Sequence, residues 1–116
     1  MSPAVGPYTP IVEAGDWLIV SGQVGIKDGK LADGLQAQLQ QALDNMQDLL
    51  QQHGASLGDV AKTTVFLTDM DDYAAMNQTY IAAFGDHRPA RSAVAVKALP
   101  LGALVEVEAW AYQRQQ

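Results

Sequence analysis

The chain has 116 residues, of which 48% are hydrophobic, so it is long enough to bury a core and we expect one domain spanning residues 1–116. Its formal charge is −6 and its Lys and Arg residues are scattered, which argues against a nucleic-acid partner because such partners are bound through their phosphates. Cysteine is absent, which excludes thiol chemistry, and the lack of a leader or of about 20 consecutive apolar residues predicts a cytoplasmic protein with no membrane partner.

The first elements form a predicted hairpin. Residues 11–14 and 17–24 read as strands joined by a two-residue Gly15-Asp16 turn. Ser21-Gly22-Gln23 interrupts the second strand, and a glycine there indicates either a β-bulge or a close approach by a ligand or another backbone. Residues 25–33 read as a polar loop.

A helix is predicted between residues 34 and 53, with Asp33 as its N-cap and Gly54 as its terminator. The face opposite its apolar stripe is rich in glutamine and needs only solvent. The helical stripe consists of Leu35, Leu39, Ala42, Leu43, Met46, Leu49 and Leu50.

A third strand over residues 61–67 precedes a cluster of aspartates at positions 69, 71 and 72. The cluster lacks the spacing of a calcium loop, so capping of the next helix is favoured over metal binding. That helix, residues 73–84, carries Asn77 on the same face as Tyr73 and Tyr80. The amide has two readings: a bond to neighbouring backbone, or a ligand contact.

The last segment, residues 88–112, reads as two strands joined by a Pro-Leu-Gly turn. In the second strand Glu106, Glu108, Trp110 and Tyr112 alternate with Val105, Val107, Ala109 and Ala111. If residues 100–103 form the turn, Arg91 and Glu106 share a face but stand six positions apart, roughly 20 Å. They can then cooperate only if another subunit brings a second copy of one to the other.

The predicted order β-β-α-β-α-β-β is typical of an α+β sandwich, a mixed sheet with two helices on one face. The other face carries Leu99, Leu104 and Trp110 together with the acids, and an exposed apolar patch of this kind usually marks an interface.

Several segments carry a resemblance to a known family, and PARS together with VEVEA makes it specific. They are VGPY (5–8), IVSGQ (19–23), KTTVFL (62–67), MNQTY (76–80), PARSAV (89–94), LP (99–100) and VEVEA (105–109). Their order resembles the pattern of the RidA/YjgF family over nearly the whole chain.

The resemblance implies a homotrimer of chorismate-mutase-like subunits, with 2-imino acid deaminase activity in clefts between subunits and no cofactor or metal. By position, Arg91 is similar to the family's carboxylate-binding arginine and Glu106 to the acid that handles water. The substrate-binding positions implied by the resemblance are Tyr8, Ser21, Gly22, Asn77 and Ala93, the last through its backbone N–H.

Two positions depart from the family pattern. Ala93 stands where many members have cysteine, and a backbone N–H survives that change. Arg88 stands where an apolar residue is common, which changes the polarity of the pocket or the size of its substrate.

Simpler roles for the two charged residues remain open: Arg91 as a surface arginine at a strand end, and Glu106 as the cross-strand partner of Lys97. The leading alternative function is a trimer that binds 2-keto acids or related metabolites without turnover. RNA cleavage is disfavoured by the acidic charge and the lack of a paired histidine arrangement, and chorismate mutase by the scarcity of cations for a dicarboxylate.

Overall fold

The computed structural model describes residues 6–113, and these form two helices and a mixed five-stranded sheet with a small separate hairpin. The strands are β1 (Ile11–Ala14), β2 (Trp17–Gln23), β3 (Ile26–Lys27), β4 (Lys30–Leu31), β5 (Val60–Leu67), β6 (Ala90–Ala95) and β7 (Val105–Tyr112). The large sheet has the order β1-β2-β7-β5-β6, and only β5 and β6 run parallel. The predicted α+β class with a mixed sheet is confirmed.

Two helices, α1 (Leu35–Gln51) and α2 (Tyr73–Phe84), cover one face of this sheet. Helix α1 packs against α2, β2 and β7. Helix α2 is joined to β5 by a hydrogen bond of 2.8 Å between the hydroxyls of Tyr80 and Thr63. Among residues 6–113, no helix is long and apolar enough to cross a membrane.

The first hairpin agrees with the prediction, and the glycine in its second strand marks a bulge. Gly15 has a φ of 59° in the turn, a conformation that glycine adopts without steric cost. The register between β2 and β7 shifts between Val20 and Gln23. Ser21 and Gly22 therefore lie together opposite one residue of β7, which is the geometry of a β-bulge.

Residues 25–33 are not the irregular loop that the sequence predicted. Strands β3 and β4 pair there in a short hairpin. Its turn residues Asp28 and Gly29 have φ values of 54° and 79°, as expected for a tight Asp-Gly hairpin turn. The Asp-Gly pair was the signal for this turn, but strands of two residues are too short to show an alternating pattern.

The predicted apolar stripe of α1 is confirmed, because all seven of its members are buried. The N-cap is Gly34, with a φ of 91°, rather than Asp33. The glutamine-rich face also does more than meet solvent. Gln38 is buried, and its Oε1 accepts the N–H of Leu104 at 2.8 Å, while the buried Asn45 donates to the carbonyls of Val24 and Ile26.

Of the aspartates before α2, only Asp69 makes a side-chain capping bond, so the predicted capping of α2 by these side chains is not realised. Asp69 accepts the N–H of Asp71 at 2.9 Å and caps a single 3₁₀ turn, Met70–Asp72, that leads into the helix. Asp72 is the N-cap of α2 but makes no side-chain capping bond. Helix α2 has the predicted bounds, and β5 begins one residue earlier than predicted.

The hairpin predicted for residues 88–112 is wrong, because β5 lies between β6 and β7. The helical connection through α2 is long enough to bring β6 back parallel to β5, which a tight turn could not do. Leu67 at the end of β5 accepts the N–H of Val96, and Thr68 donates to the carbonyl of Leu104. The segment after β6 therefore passes across the end of β5 before β7 begins.

The predicted alternation in β7 is confirmed. Val105, Val107, Ala109 and Ala111 are buried beneath the helices, and Glu106, Glu108, Trp110 and Tyr112 lie on the uncovered face. Leu104 does not belong to that face, since it packs partly buried against the core.

Candidate functional site

A first cleft lies on the uncovered face of the sheet and has a volume of about 400 Å³. It brings together four of the residues singled out in the sequence. The cleft is lined by Tyr8, Ser21, Gly22, Phe66, Pro100, Glu106 and Glu108. Phe66 and Pro100 were not predicted as site residues from the sequence. The alternation of β5 carried a signal for Phe66, because Val65 and Leu67 are buried and Phe66 must face the other way.

The bulge in β2 makes room for the carboxyl group of Glu106. A Cβ atom at Gly22 would lie 2.8 Å from Cδ and 3.0 Å from Oε2 of Glu106. Distances below 3.0 Å are not tolerated between such atoms, so only glycine leaves Glu106 in this position. Both readings of the glycine hold: it marks a bulge, and it permits a close approach, in this case by a carboxylate of the same chain.

The environment of Glu106 favours its protonated form. Partial burial, and secondarily the neighbouring charge of Glu108, raises the pKa of the Glu106 carboxyl above its ordinary value. The carboxylate of such an acid is a better proton acceptor from water than that of an ordinary surface glutamate.

Ser21 holds the segment that carries Tyr8 against the cleft. Its hydroxyl donates to the carbonyl of Thr9 at 2.6 Å, and its N–H donates to the carbonyl of Pro10 at 2.9 Å. Tyr8 itself is 45% exposed beside Glu106. The hydroxyl of Ser21 is therefore engaged in holding this segment.

A second cleft, of about 320 Å³, lies between α2 and the edge strand β6. Its lining residues are Asn77, Tyr80, Ile81, Arg88, Pro89 and Arg91. Arg91 donates to the hydroxyl of Tyr73 at 3.0 Å and contacts Sδ of Met76 at 3.6 Å. Its guanidinium carbon lies 4.8 Å from the centre of the Tyr80 ring, in a cation–π contact.

These contacts orient Arg91 without neutralising it. Tyr80 is held by its hydrogen bond to Thr63, and burial raises the pKa of its hydroxyl, so the ring remains uncharged. Arg91 makes no ion pair with any residue in the range 6–113. A fixed, uncompensated guanidinium with free donors is suited to a carboxylate ligand.

Asn77 is an unsatisfied polar group at this second cleft. Its Oδ1 is buried and has no hydrogen-bond partner in the described part of the chain. The predicted alternative of a bond to neighbouring backbone is therefore not realised by that atom. Because a 180° rotation of the amide exchanges its oxygen and nitrogen, Asn77 can offer either group to a ligand.

The N–H of Ala93 points toward the free edge of the sheet. Val96 donates its N–H to Leu67 of β5, and donors alternate in direction along a strand, so the odd-numbered residues of β6 direct theirs away from β5. Within residues 6–113, β6 pairs only with β5. Ala93 thus adds a backbone donor on the same strand as Arg91.

The two clefts do not form one site within a single chain. Arg91 pairs through Thr63 with Ala109, on the helix face, whereas Glu106 pairs with Phe66 on the uncovered face. The predicted shared face is therefore wrong. Arg91 and Glu106 stand three positions apart along the strands and two strands apart across the sheet, which corresponds to roughly 14 Å between their Cα atoms. The predicted hairpin would have separated them by roughly 20 Å.

Glu106 does not pair with Lys97, because β5 occupies the position that Lys97 would need. No group of three or more potential metal-ligating side chains occurs among residues 6–113.

Comparison with known proteins gives close matches along the chain. A family model described as endoribonuclease L-PSP matches residues 1–113. The RutC family protein PH0854 of Pyrococcus horikoshii is 44% identical over 94% of this chain and 89% of its own length. A protein of Escherichia coli K12 named 2-iminobutanoate/2-iminopropanoate deaminase is 41% identical over 96% of this chain and 91% of its own.

A solved structure supports the same relationship. The crystal structure of RidA from the Antarctic bacterium Psychrobacter sp. PAMC 21119 superposes with a TM-score of 0.93 at 39% identity, covering 95% of this chain and 91% of that one. Matches of this identity and coverage show common ancestry as well as a common fold. The chain belongs to the endoribonuclease L-PSP family, which is the RidA/YjgF family.

Proposed function

We propose that this protein is a hydrolase that converts 2-imino acids, such as 2-iminopropanoate (the tautomer of 2-aminoacrylate) and 2-iminobutanoate, to 2-keto acids and ammonia. We propose further that it works as a cytoplasmic homotrimer, with each site assembled between two subunits. The proposal is supported by the name of the E. coli relative and by the chemistry of the two clefts.

Arg91 binds the substrate carboxylate in this proposal. Its planar fork matches a carboxylate in bidentate fashion and keeps its charge at any physiological pH. The contacts with Tyr73, Met76 and Tyr80 hold the fork in one orientation before the substrate arrives. The outward N–H of Ala93 supplies a further donor, and Asn77 lies beside the reacting group.

Glu106 acts as the general base. Its carboxylate accepts a proton from a water molecule whose oxygen attacks the carbon of the protonated C=N bond. Tyr8, Ser21 and the backbone at Gly22 shape the cleft that holds this water. The resulting adduct carries a hydroxyl and an amino group on one carbon. Glu106 returns this proton to the amino nitrogen and then accepts the proton of the hydroxyl group as the C–N bond breaks, so that ammonia leaves and the keto group forms. The proton left on Glu106 passes to the released ammonia, giving ammonium.

One observation carries the assembly between subunits: Arg91 and Glu106 lie on opposite faces of one sheet, too far apart for one small substrate. The face that carries Glu106 is uncovered, and it exposes Trp17, Trp110 and Tyr112 at 38%, 42% and 40%. An apolar face of this kind requires a partner in water. In the proposed trimer, the β6 edge of one subunit lies against this face of the next.

The activity is tested with 2-iminobutanoate generated in the assay by a threonine dehydratase, with semicarbazide trapping the imine that survives. The protein is expected to lower the yield of semicarbazone and speed the appearance of 2-oxobutanoate. Arg91→Ala should abolish this acceleration, whereas Lys27→Ala, which removes a cation from the separate β3–β4 hairpin, should retain it. If the protein binds 2-keto acids but leaves imine decay at the buffer rate, it is the binding module and not an enzyme.

The assembly is tested by co-expressing Arg91→Ala with Glu106→Gln. Each variant alone is inactive, but in mixed trimers some sites combine an intact arginine from one subunit with an intact glutamate from the next. With random mixing, about a quarter of the sites are intact, so about a quarter of the wild-type activity should return. A site contained in one chain predicts no recovery, and that result would refute the composite site.

A further inference from the structure

Two guanidinium groups line the cleft between α2 and β6, and no carboxylate lines it with them. Arg91 and Arg88 both lack an ion-pair partner among residues 6–113, in a chain whose formal charge is −6. Two like charges in one cleft repel each other, and an acidic protein has many carboxylates that could have neutralised one of them. An anionic ligand with two charges relieves this repulsion.

Arg88 has donors to spare for such a ligand. Its Nη1 donates to the carbonyl of Gly85 and, at 3.0 Å, to that of His87. A guanidinium carries five N–H donors, so those on Nε and Nη2 remain. The two backbone bonds hold the side chain beside the C-terminal end of α2.

Asn77 supplies a third polar contact. Its Oδ1 has no hydrogen-bond partner within the described residues, and the residue lines the same cleft as both arginines. A ligand with two carboxylates and a nitrogen on the carbon chain between them would contact all three residues. The amide oxygen of Asn77 would then be turned to accept the N–H of that nitrogen.

From this arrangement we infer that the substrate class of the site includes 2-imino dicarboxylic acids, with Arg91 on the carboxylate next to the imine carbon and Arg88 on the distal carboxylate. The inference rests on the proposed function and deepens it, since it assigns Arg88 as a specificity-determining residue. The four- and five-carbon imines of this class are 2-iminosuccinate and 2-iminoglutarate.

The competing explanation is that Arg88 only caps α2. Arginine near a helix C-terminus interacts favourably with the last carbonyls, and the bonds to Gly85 and His87 fit this role. The two explanations differ in what the residue discriminates. A cap affects stability and all substrates alike, whereas a second carboxylate site affects only dicarboxylates.

The test compares Arg88→Gln with the wild type on two imines, 2-iminoglutarate and 2-iminobutanoate, each generated in the assay from its amino acid by an amino acid oxidase. We expect kcat/KM for 2-iminoglutarate to fall about tenfold, or ~1.4 kcal/mol, with less than about a twofold change for 2-iminobutanoate. Arg88→Lys should recover part of the loss, and Lys27→Gln should behave as the wild type. Equal losses on both substrates, or no loss on 2-iminoglutarate, would overturn the inference.

A binding measurement separates this inference from the proposed catalysis. Isothermal titration with 2-oxoglutarate and 2-oxobutanoate requires no turnover. The wild type should bind 2-oxoglutarate more tightly, and Arg88→Gln should remove that preference while thermal unfolding verifies that the variant is folded. If neither imine is accelerated but the preference is present, the proposed hydrolysis fails and the dicarboxylate site stands. If 2-iminobutanoate is turned over but the preference for 2-oxoglutarate is absent, the proposed hydrolysis stands and the dicarboxylate site fails.

Discussion

A methyl group added at Gly22 would collide with the carboxyl group of Glu106, and this offers a way to displace that group without changing its chemistry. In Gly22→Ala the new Cβ would lie 2.8 Å from Cδ of Glu106, whereas ordinary contact begins at 3.4 Å. Glu106 must therefore withdraw by roughly 0.6 Å or more, which follows from subtracting the first distance from the second. The contacted atoms are the far end of a side chain, so the backbone need not move.

The expected result is a large loss of activity with little loss of stability. A misplacement of about 1 Å at a catalytic group can cost on the order of 10²-fold in rate, or ~2.7 kcal/mol of transition-state stabilisation. The strain is offset in part by the lower entropy that alanine gives the unfolded chain, so the free energy of unfolding should change by less than about 1 kcal/mol.

The assay measures kcat/KM on 2-iminobutanoate and the urea unfolding midpoint of the same preparation. Gly58→Ala is the matched control, because a Cβ there would lie 3.6 Å from the nearest side-chain atom, an ordinary contact. The double variant Gly22→Ala/Glu106→Gln should be no slower than Glu106→Gln alone. Additive losses, or full activity in Gly22→Ala, would refute the idea that Gly22 acts by making room for Glu106.

Two further predictions concern Glu106 and Gln38. Burial and the charge of Glu108 raise the pKa of Glu106, so the folded chain holds the carboxyl proton more tightly than the unfolded chain does. The resulting contribution to the free energy of unfolding is fully present below the unfolded pKa, and it is lost as the pH rises through the folded pKa. Glu106→Gln should therefore raise the thermal midpoint more at pH 7 than at pH 4, and equal shifts at both pH values would contradict this. Gln38→Leu should lower the free energy of unfolding in urea by about 1–2 kcal/mol, because it leaves the N–H of Leu104 unpaired. The control Gln40→Leu, at an exposed position, should change it by no more than about 0.5 kcal/mol. Similar losses in both variants would argue against a role for the buried amide.

Local patterns in the sequence were sufficient for most of the elements. The seven-residue stripe of α1 and the bounds of α2 follow from helical periodicity, and the first hairpin follows from its turn residues. The cap of α1 and the β3–β4 hairpin were not predicted correctly. The cap falls on Gly34, whose positive φ is easy for glycine, although Asp33 has the better capping side chain, and strands of two residues are too short to show an alternating pattern.

Residues singled out in the sequence lie in two clefts of the structure, but the arrangement of these clefts was not predicted. The sequence pattern, with the family resemblance, singled out Tyr8, Ser21, Gly22 and Glu106, which share one cleft, and Asn77 and Arg91, which share another. Their roles remain predictions. The contacts of Arg91 with Tyr73 and Tyr80 could not be foreseen, because the predicted hairpin placed Arg91 on the wrong face of the sheet.

What the sequence determined by itself is the face of β7 that meets water. Alternation with a period of two is a local property, and it put Glu106 opposite the buried valines of β7 whatever lay beside that strand. What only the tertiary structure decided is which strands are neighbours. Pairing of β5 with both β6 and β7 is a long-range choice made through the α2 crossover, and local periodicity carries no information about it. That choice put Arg91 and Glu106 on opposite faces.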